Sequence, residues 1–213
     1  MTPAVFAFGV VGLILGLVAD RLATRWPEHD EEHQPGRPID WRTAVCAVFG
    51  APAFAFLPTR FAGDWLALGL FTAWFATLVV GMATDLDQRI LSNILTLPVI
   101  PIAFVYAASG LNPLVGTELL PAIAVATIIP LALFLASIPF GEGAFGLGDV
   151  KLLAGAGLMS GGIRGFTGFA SGLFAGGLVI VLLLATRRVS RKTFIPFGPF
   201  LIFGAVWGIV VRP

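Results

Sequence analysis

The sequence predicts an all-α fold, a polytopic transmembrane helical bundle of about eight spans, on three observations. The chain of 213 residues is 57% hydrophobic, with a mean hydropathy of +0.94. Only 12% of its residues are charged, about half the ~25% usual in a soluble domain. Its apolar runs approach the ~20 residues that cross a hydrocarbon core of about 30 Å. They are apolar on every face, which excludes the alternating strands of a membrane β-barrel.

In chain order the spans are expected near 4–19, 43–58, 64–84, 91–109, 118–139, 151–163, 166–186 and 194–211. No basic region precedes the first run and no clear small-residue cleavage pattern follows it. It therefore reads as a retained span with its N-terminus outside, not as a signal peptide. The sixth segment is short and rich in glycine (Gly155, Gly157, Gly161, Gly162). It is expected to be tilted, broken or re-entrant, which leaves six or seven crossings as the alternatives to eight. Small residues four apart, Gly12 with Gly16, Gly168 with Gly172 and Gly176, and Gly204 with Gly208, form grooves that let helices approach closely.

Residues 20–42, DRLATRWPEHDEEHQPGRPIDWR, are the one long polar segment. Mixed charges and three prolines make it a solvated surface connector, in which His29 and His33 have no frame to hold a metal. The whole chain, 1–213, reads as a single membrane domain carrying this connector. A lone cysteine, Cys46, excludes an internal disulfide and any multi-thiolate metal site. A net charge of +1 gives no reason to expect nucleic-acid binding.

Loop charges set the orientation. If 20–42, 85–90, 140–150 and 187–193 share one side, that side holds Arg21, Arg25, Arg37, Arg42, Arg89, Arg187, Arg188, Arg191 and Lys192, with Lys151 at its boundary. The other side keeps Arg60, Arg164 and Arg212. The bias marks the first side as cytoplasmic.

Half of the acidic residues lie in the connector, and Asp64 is placed to cap the third span. Asp85, Asp87 and Asp149 differ, because each stands where a span meets a loop, in GMATDLDQRILSN (81–93) and GEGAFGLGDVKLLAG (141–155). Ionisable residues at such a depth point to function. The orientation puts both segments on one face, so Asp85 and Asp149 can meet across their sequence separation. Two carboxylates sharing a site cannot both ionise cheaply, so one holds the proton. Such a pair activates water and protonates a leaving amide. No serine elbow, H-E-x-x-H or phosphate-binding glycine loop offers another chemistry. The residues alone leave rivals open. Asp85 or Asp87 could pair with Arg89, and Asp149 could cap a helix beginning at Val150 beside Lys151. The same acids could form the ion or proton site of a transporter, or belong to a non-catalytic assembly protein.

These segments resemble the prepilin leader peptidases, or type IV prepilin peptidases. The likeness rests on Asp85 in DLDQRILSN with Leu97-Pro98 downstream, and on Gly146-Leu147-Gly148-Asp149 followed by Val150-Lys151-Leu152-Leu153. It extends to Ile195-Pro196-Phe197-Gly198-Pro199-Phe200 and to GLILGLVADRLATRWP at 12–27, and so touches nearly the whole chain. The resemblance implies a multi-pass aspartic endopeptidase of the bacterial inner membrane, with its active site toward the cytoplasm and no cofactor. Asp85 and Asp149 become the catalytic pair, with Asp87, Gly146, Gly148 and Lys151 as accessory residues. The absence of Cβ atoms at Gly146 and Gly148 is expected to let the backbone present Asp149. Glu142, Pro196, Gly198 and Pro199 become candidate substrate contacts. The implied partners are prepilin or pseudopilin precursors, whose basic leader is removed, and membrane lipid. Long-form members carry cysteine pairs in the first cytoplasmic loop. These are absent here, so neither a zinc site nor N-methylation is carried over.

Overall fold

The computed structural model describes residues 2–27, 36–140, 145–190, 193 and 195–211. In chain order these form α1 (Pro3–Ala23), α2 (Trp41–Arg60), α3 (Trp65–Gln88), α4 (Asn93–Thr96), α5 (Val99–Ala108), α6 (Leu119–Ser137), α7 (Leu147–Ser160), α8 (Gly162–Ala185) and α9 (Gly198–Val210). A 3-10 turn at Ile138–Phe140 follows α6. The all-helical bundle is as expected. Helices α1, α2, α3, α6 and α8 are each long and apolar enough to cross a membrane. The others are shorter, and α4 with α5 stands where one fourth span was expected. Pro98 lies between these two helices, and a proline supplies no N–H to the helical ladder.

Helix α3 is the most buried of the long helices and packs on α1, α2 and α9. Phe71, Phe75 and Leu78 are fully buried on it, with Phe71 stacked on Phe61 at 4.3 Å between ring centres. The other half of the bundle is built from α6, α7 and α8, with α5 resting on α7 and α9 on α8.

The glycine grooves act where the sequence put them. A Cβ on Gly16 would lie 2.3 Å from the carbonyl oxygen of Cys46, and one on Gly12 would lie 2.2 Å from that of Gly50. The α1–α2 pair is thus in backbone contact, and Cys46 is fully buried within it. Gly168 and Gly204 play the same part between α8 and α9. Replacing Gly16 with valine is expected to force α1 and α2 apart and destabilise the protein by about 2 kcal/mol. Thermal unfolding in detergent checks this.

One end of the bundle gathers the C-termini of α1 and α3 and the N-termini of α2, α4, α7 and α9. The ties that show this are an Arg37 bridge from Asp20 to Asp87, a Lys151–Asn93 bond, and contact between Gly198 and Asp85. At the opposite end, the Asn112 amide donates to the Met159 carbonyl at 3.1 Å, and Arg164 donates to that of Val211 at 3.0 Å.

The polar connector departs from expectation at both flanks. Asp20 is helical and fully buried, while Arg37, Asp40 and Arg42 are held in ion pairs. His29 and His33 lie outside the described residues.

Candidate active site

Asp85 lies in the last turn of α3, which continues to Gln88 instead of ending at residue 84 as expected. Arg89 then adopts a left-handed conformation (φ 57°), and its N–H bonds to the Asp85 carbonyl at 2.9 Å, closing the helix. Asp85 is only 5% exposed. Its carboxyl group faces the start of α9, where a Cβ on Gly198 would lie 2.6 Å from Oδ2 and 3.2 Å from Oδ1. Only glycine leaves room there. The N-terminal end of a helix carries partial positive charge, so α9 offers this buried acid a favourable dipole. Among the described residues Oδ2 has no hydrogen-bond partner.

Asp149 lies in the first turn of α7 and is partly buried. Its Oδ2 accepts a hydrogen bond from the Gly146 N–H at 3.0 Å. The helix begins at Leu147, so Asp149 sits inside it and does not precede it. Gly148 is what lets this turn come close. A Cβ there would lie 2.9 Å from that of Leu91, in the loop that follows α3. Leu91 in turn packs toward α3, with Cδ2 3.3 Å from where a Cβ of Gly81 would be. The sandwich Gly81–Leu91–Gly148 sets the first turn of α7 beside the end of α3. Asp149 is thereby carried on the turn of α7 that packs against the end of α3. Gly146 needs no such explanation. Its φ of −86° is ordinary, and a Cβ there would meet nothing nearer than 3.6 Å. The expectation that both glycines serve the approach therefore holds for Gly148 alone.

Asp87 is 8% exposed and points away from this pair, into an ion-pair network. Its Oδ1 accepts from Arg37 Nε and, at 2.8 Å, from Arg42 Nη1. Arg37 also binds Asp20, which takes Arg21 and the Thr43 hydroxyl (2.6 Å) on its other oxygen. Burial opposes the charge on Arg37, but its bonds to Asp87 and Asp20 outweigh this and raise its pKa above the ordinary value. Gln88 adds a bond from Nε2 to the Ala23 carbonyl at 2.7 Å. The sequence offered Arg89 as the partner of Asp85 or Asp87. For Asp87 the partners are instead Arg37 and Arg42. The network clamps the ends of α1, α2 and α3 together one turn from Asp85. Arg37→Ala is expected to leave Asp20 and Asp87 short of a partner and to destabilise the protein by about 3 kcal/mol. Denaturant unfolding in micelles is the check.

The remaining candidates divide. Lys151 Nζ bonds Asn93 Oδ1, tying α7 to α4. Pro196 is partly buried in the segment leading to α9, and Pro199 lies in the first turn of that helix. Glu142 lies outside the described residues. Among the described residues no three His, Cys, Asp or Glu side chains group to hold a metal ion. Sequence reasoning missed Asp20, Arg37, Arg42, Thr43 and Gln88. The signal for Asp20 was present, as an acid at the foot of a continuous apolar run.

The candidate site offers two carboxylates from two helices, one buried with no partner on Oδ2 among the described residues, the other at a helix start. A family model described as the type IV leader peptidase family matches residues 70–187, which include Asp85, Asp87 and Asp149. No curated protein and no solved structure matches the chain.

Proposed function

This chain belongs to the type IV leader peptidase family, and from that premise we propose that it is an aspartic endopeptidase whose catalytic pair is Asp85 and Asp149. Its substrates are prepilin-like or pseudopilin precursors, and it removes their basic leader at the cytoplasmic face of the bacterial inner membrane. The observation that supports the reading is that both acids stand at one end of the bundle, on helix ends packed together through Gly148 against Leu91, with the Asp85 carboxyl against Gly198.

The chemistry follows from one proton shared by two carboxylates. The ionised member takes a proton from water, and the resulting hydroxide adds to the scissile carbonyl. The protonated member stabilises the new oxyanion with its hydrogen bond. Collapse of the tetrahedral adduct breaks the C–N bond, and the leaving nitrogen takes a proton from the pair. Water is the nucleophile, so no covalent acyl-enzyme forms. Arg37 and Arg42 hold Asp20, Asp40 and Asp87 in ion pairs, and none of the ion pairs among the described residues takes Asp85 or Asp149.

The test is purified protein in lipid nanodiscs with a precursor bearing a basic leader and an apolar stem. A single cut is expected, with one 18O atom from labelled water in the new carboxylate. Chelation is expected to leave the rate unchanged. Loss of cleavage on chelation, restored by zinc, would contradict this mechanism.

A further inference from the structure

Helices α4 and α5 pack on α7, and a seam opens between α5 and α3. A cavity of about 250 Å³ lies in it, bounded by Trp74, Thr77, Ile94, Val99 and Tyr106. A second of about 470 Å³ is bounded by Leu66, Pro101 and Val105. The two share Leu70, Ile102 and Tyr106, so they form one continuous groove. From Ile94 to Ser109 it follows α4 and α5 for roughly 20 Å, much of the ~30 Å hydrocarbon core. Its outer edge carries the exposed side chains of Ile102 and Val105. One end meets the candidate site, because Ile94 adjoins Asn93, which holds Lys151, two positions from Asp149. Trp74 stands about three helical turns from Asp85 on the same stripe of α3.

Two residues of the groove wall carry polar groups that its apolar lining does not explain. Among the described residues, Trp74 Nε1 and the Tyr106 hydroxyl have no hydrogen-bond partner, in residues 4% and 5% exposed. Within hydrocarbon an unpaired donor is costly, and a lipid tail offers it nothing. The carbonyl oxygens of a peptide helix each keep a second lone pair, which either donor meets once its side chain turns toward the groove. We propose that the α3–α5 seam receives the apolar helical stem of the substrate and lays the scissile bond at Asp85 and Asp149. This rests on the peptidase reading above and assigns its substrate a docking surface.

Two synthetic peptides test the assignment in nanodiscs. One carries a basic leader and a full apolar stem, and the other stops a few residues past the scissile bond. Ala73→Trp and Thr77→Trp fill the groove. Each is expected to lower the preference for the long peptide, read as the ratio of the two kcat/KM values, by about tenfold through KM. Ala55→Trp, in the separate groove between α1 and α2, is expected to leave that ratio alone. An unchanged ratio in the seam variants, as for a groove filled by lipid, or an equal fall with Ala55→Trp, overturns the proposal. Binding is read independently with a benzophenone amino acid in place of Thr77, in an Asp149→Asn background. Photo-crosslinking to the stem supports the seam, and labelling of lipid alone overturns it. If the unaltered protein cuts neither peptide, the peptidase reading fails, and the crosslink still decides the docking surface.

Discussion

Asp85→Asn and Asp149→Asn each reduce leader cleavage by about 10³-fold or more, without unfolding the protein. Both replacements keep shape and volume and remove the ability to hold or release the catalytic proton. At Asp149 the amide oxygen can still accept the Gly146 N–H bond seen at 3.0 Å, so the first turn of α7 survives. At Asp85 an uncharged side chain is no harder to bury, since one carboxyl oxygen has no partner to lose. Asp87→Asn separates proton chemistry from architecture. Its Oδ1 is held by Arg37 and Arg42, so that variant loses stability before it loses turnover. The measurement is initial cleavage rate in nanodiscs beside a melting curve for each variant. Wild-type turnover by either Asn variant at position 85 or 149 would remove that residue from the mechanism.

Gly198→Ala has the next largest effect. The added methyl would sit 2.6 Å from Asp85 Oδ2, well inside contact distance, and cannot be accommodated without turning the carboxyl group or shifting α9. A displacement on the order of 1 Å at a reacting group costs about 10²-fold in rate. The loss is expected in kcat, with the stem still binding. Gly146→Ala is the matched control: its methyl finds ordinary space at 3.6 Å and its N–H still reaches Asp149. A change below about threefold is expected there. Equal losses in the two variants would show that the loop before α7 is sensitive to any side chain, and that the Asp85–Gly198 contact has no special role.

The helical bundle could be read from the sequence because membrane spans announce themselves by length and hydropathy. Each of the eight expected segments contains helix, and the glycine pairs of α1, α8 and α9 lie at real close approaches. Helix ends were harder. The apolar signal stops near residue 84, but α3 runs on to Gln88 because polar side chains at its foot find partners on other helices. The same physics hid the ion-pair network. Asp87 meets Arg37 and Arg42 across 50 and 45 positions, and no local pattern encodes such pairs. The acids themselves were legible, since ionisable residues at span ends are few. Their approach was only an inference from loop charges. What brings the two helix ends together, Leu91 held between Gly81 and Gly148, is an apolar residue in a short loop with no distinguishing signature.

The central claim is that Asp85 and Asp149 act on one peptide bond from one pocket. Paired thiols measure this most directly: Asp85→Cys with Asp149→Cys, in a background where Cys46 is replaced by alanine, treated in nanodiscs with a short bifunctional thiol reagent. Asn93→Cys with Lys151→Cys, whose native side chains bond to each other, is the positive control. Bridging of both pairs is the predicted result. Bridging of the control without any bridge between positions 85 and 149 would contradict the account.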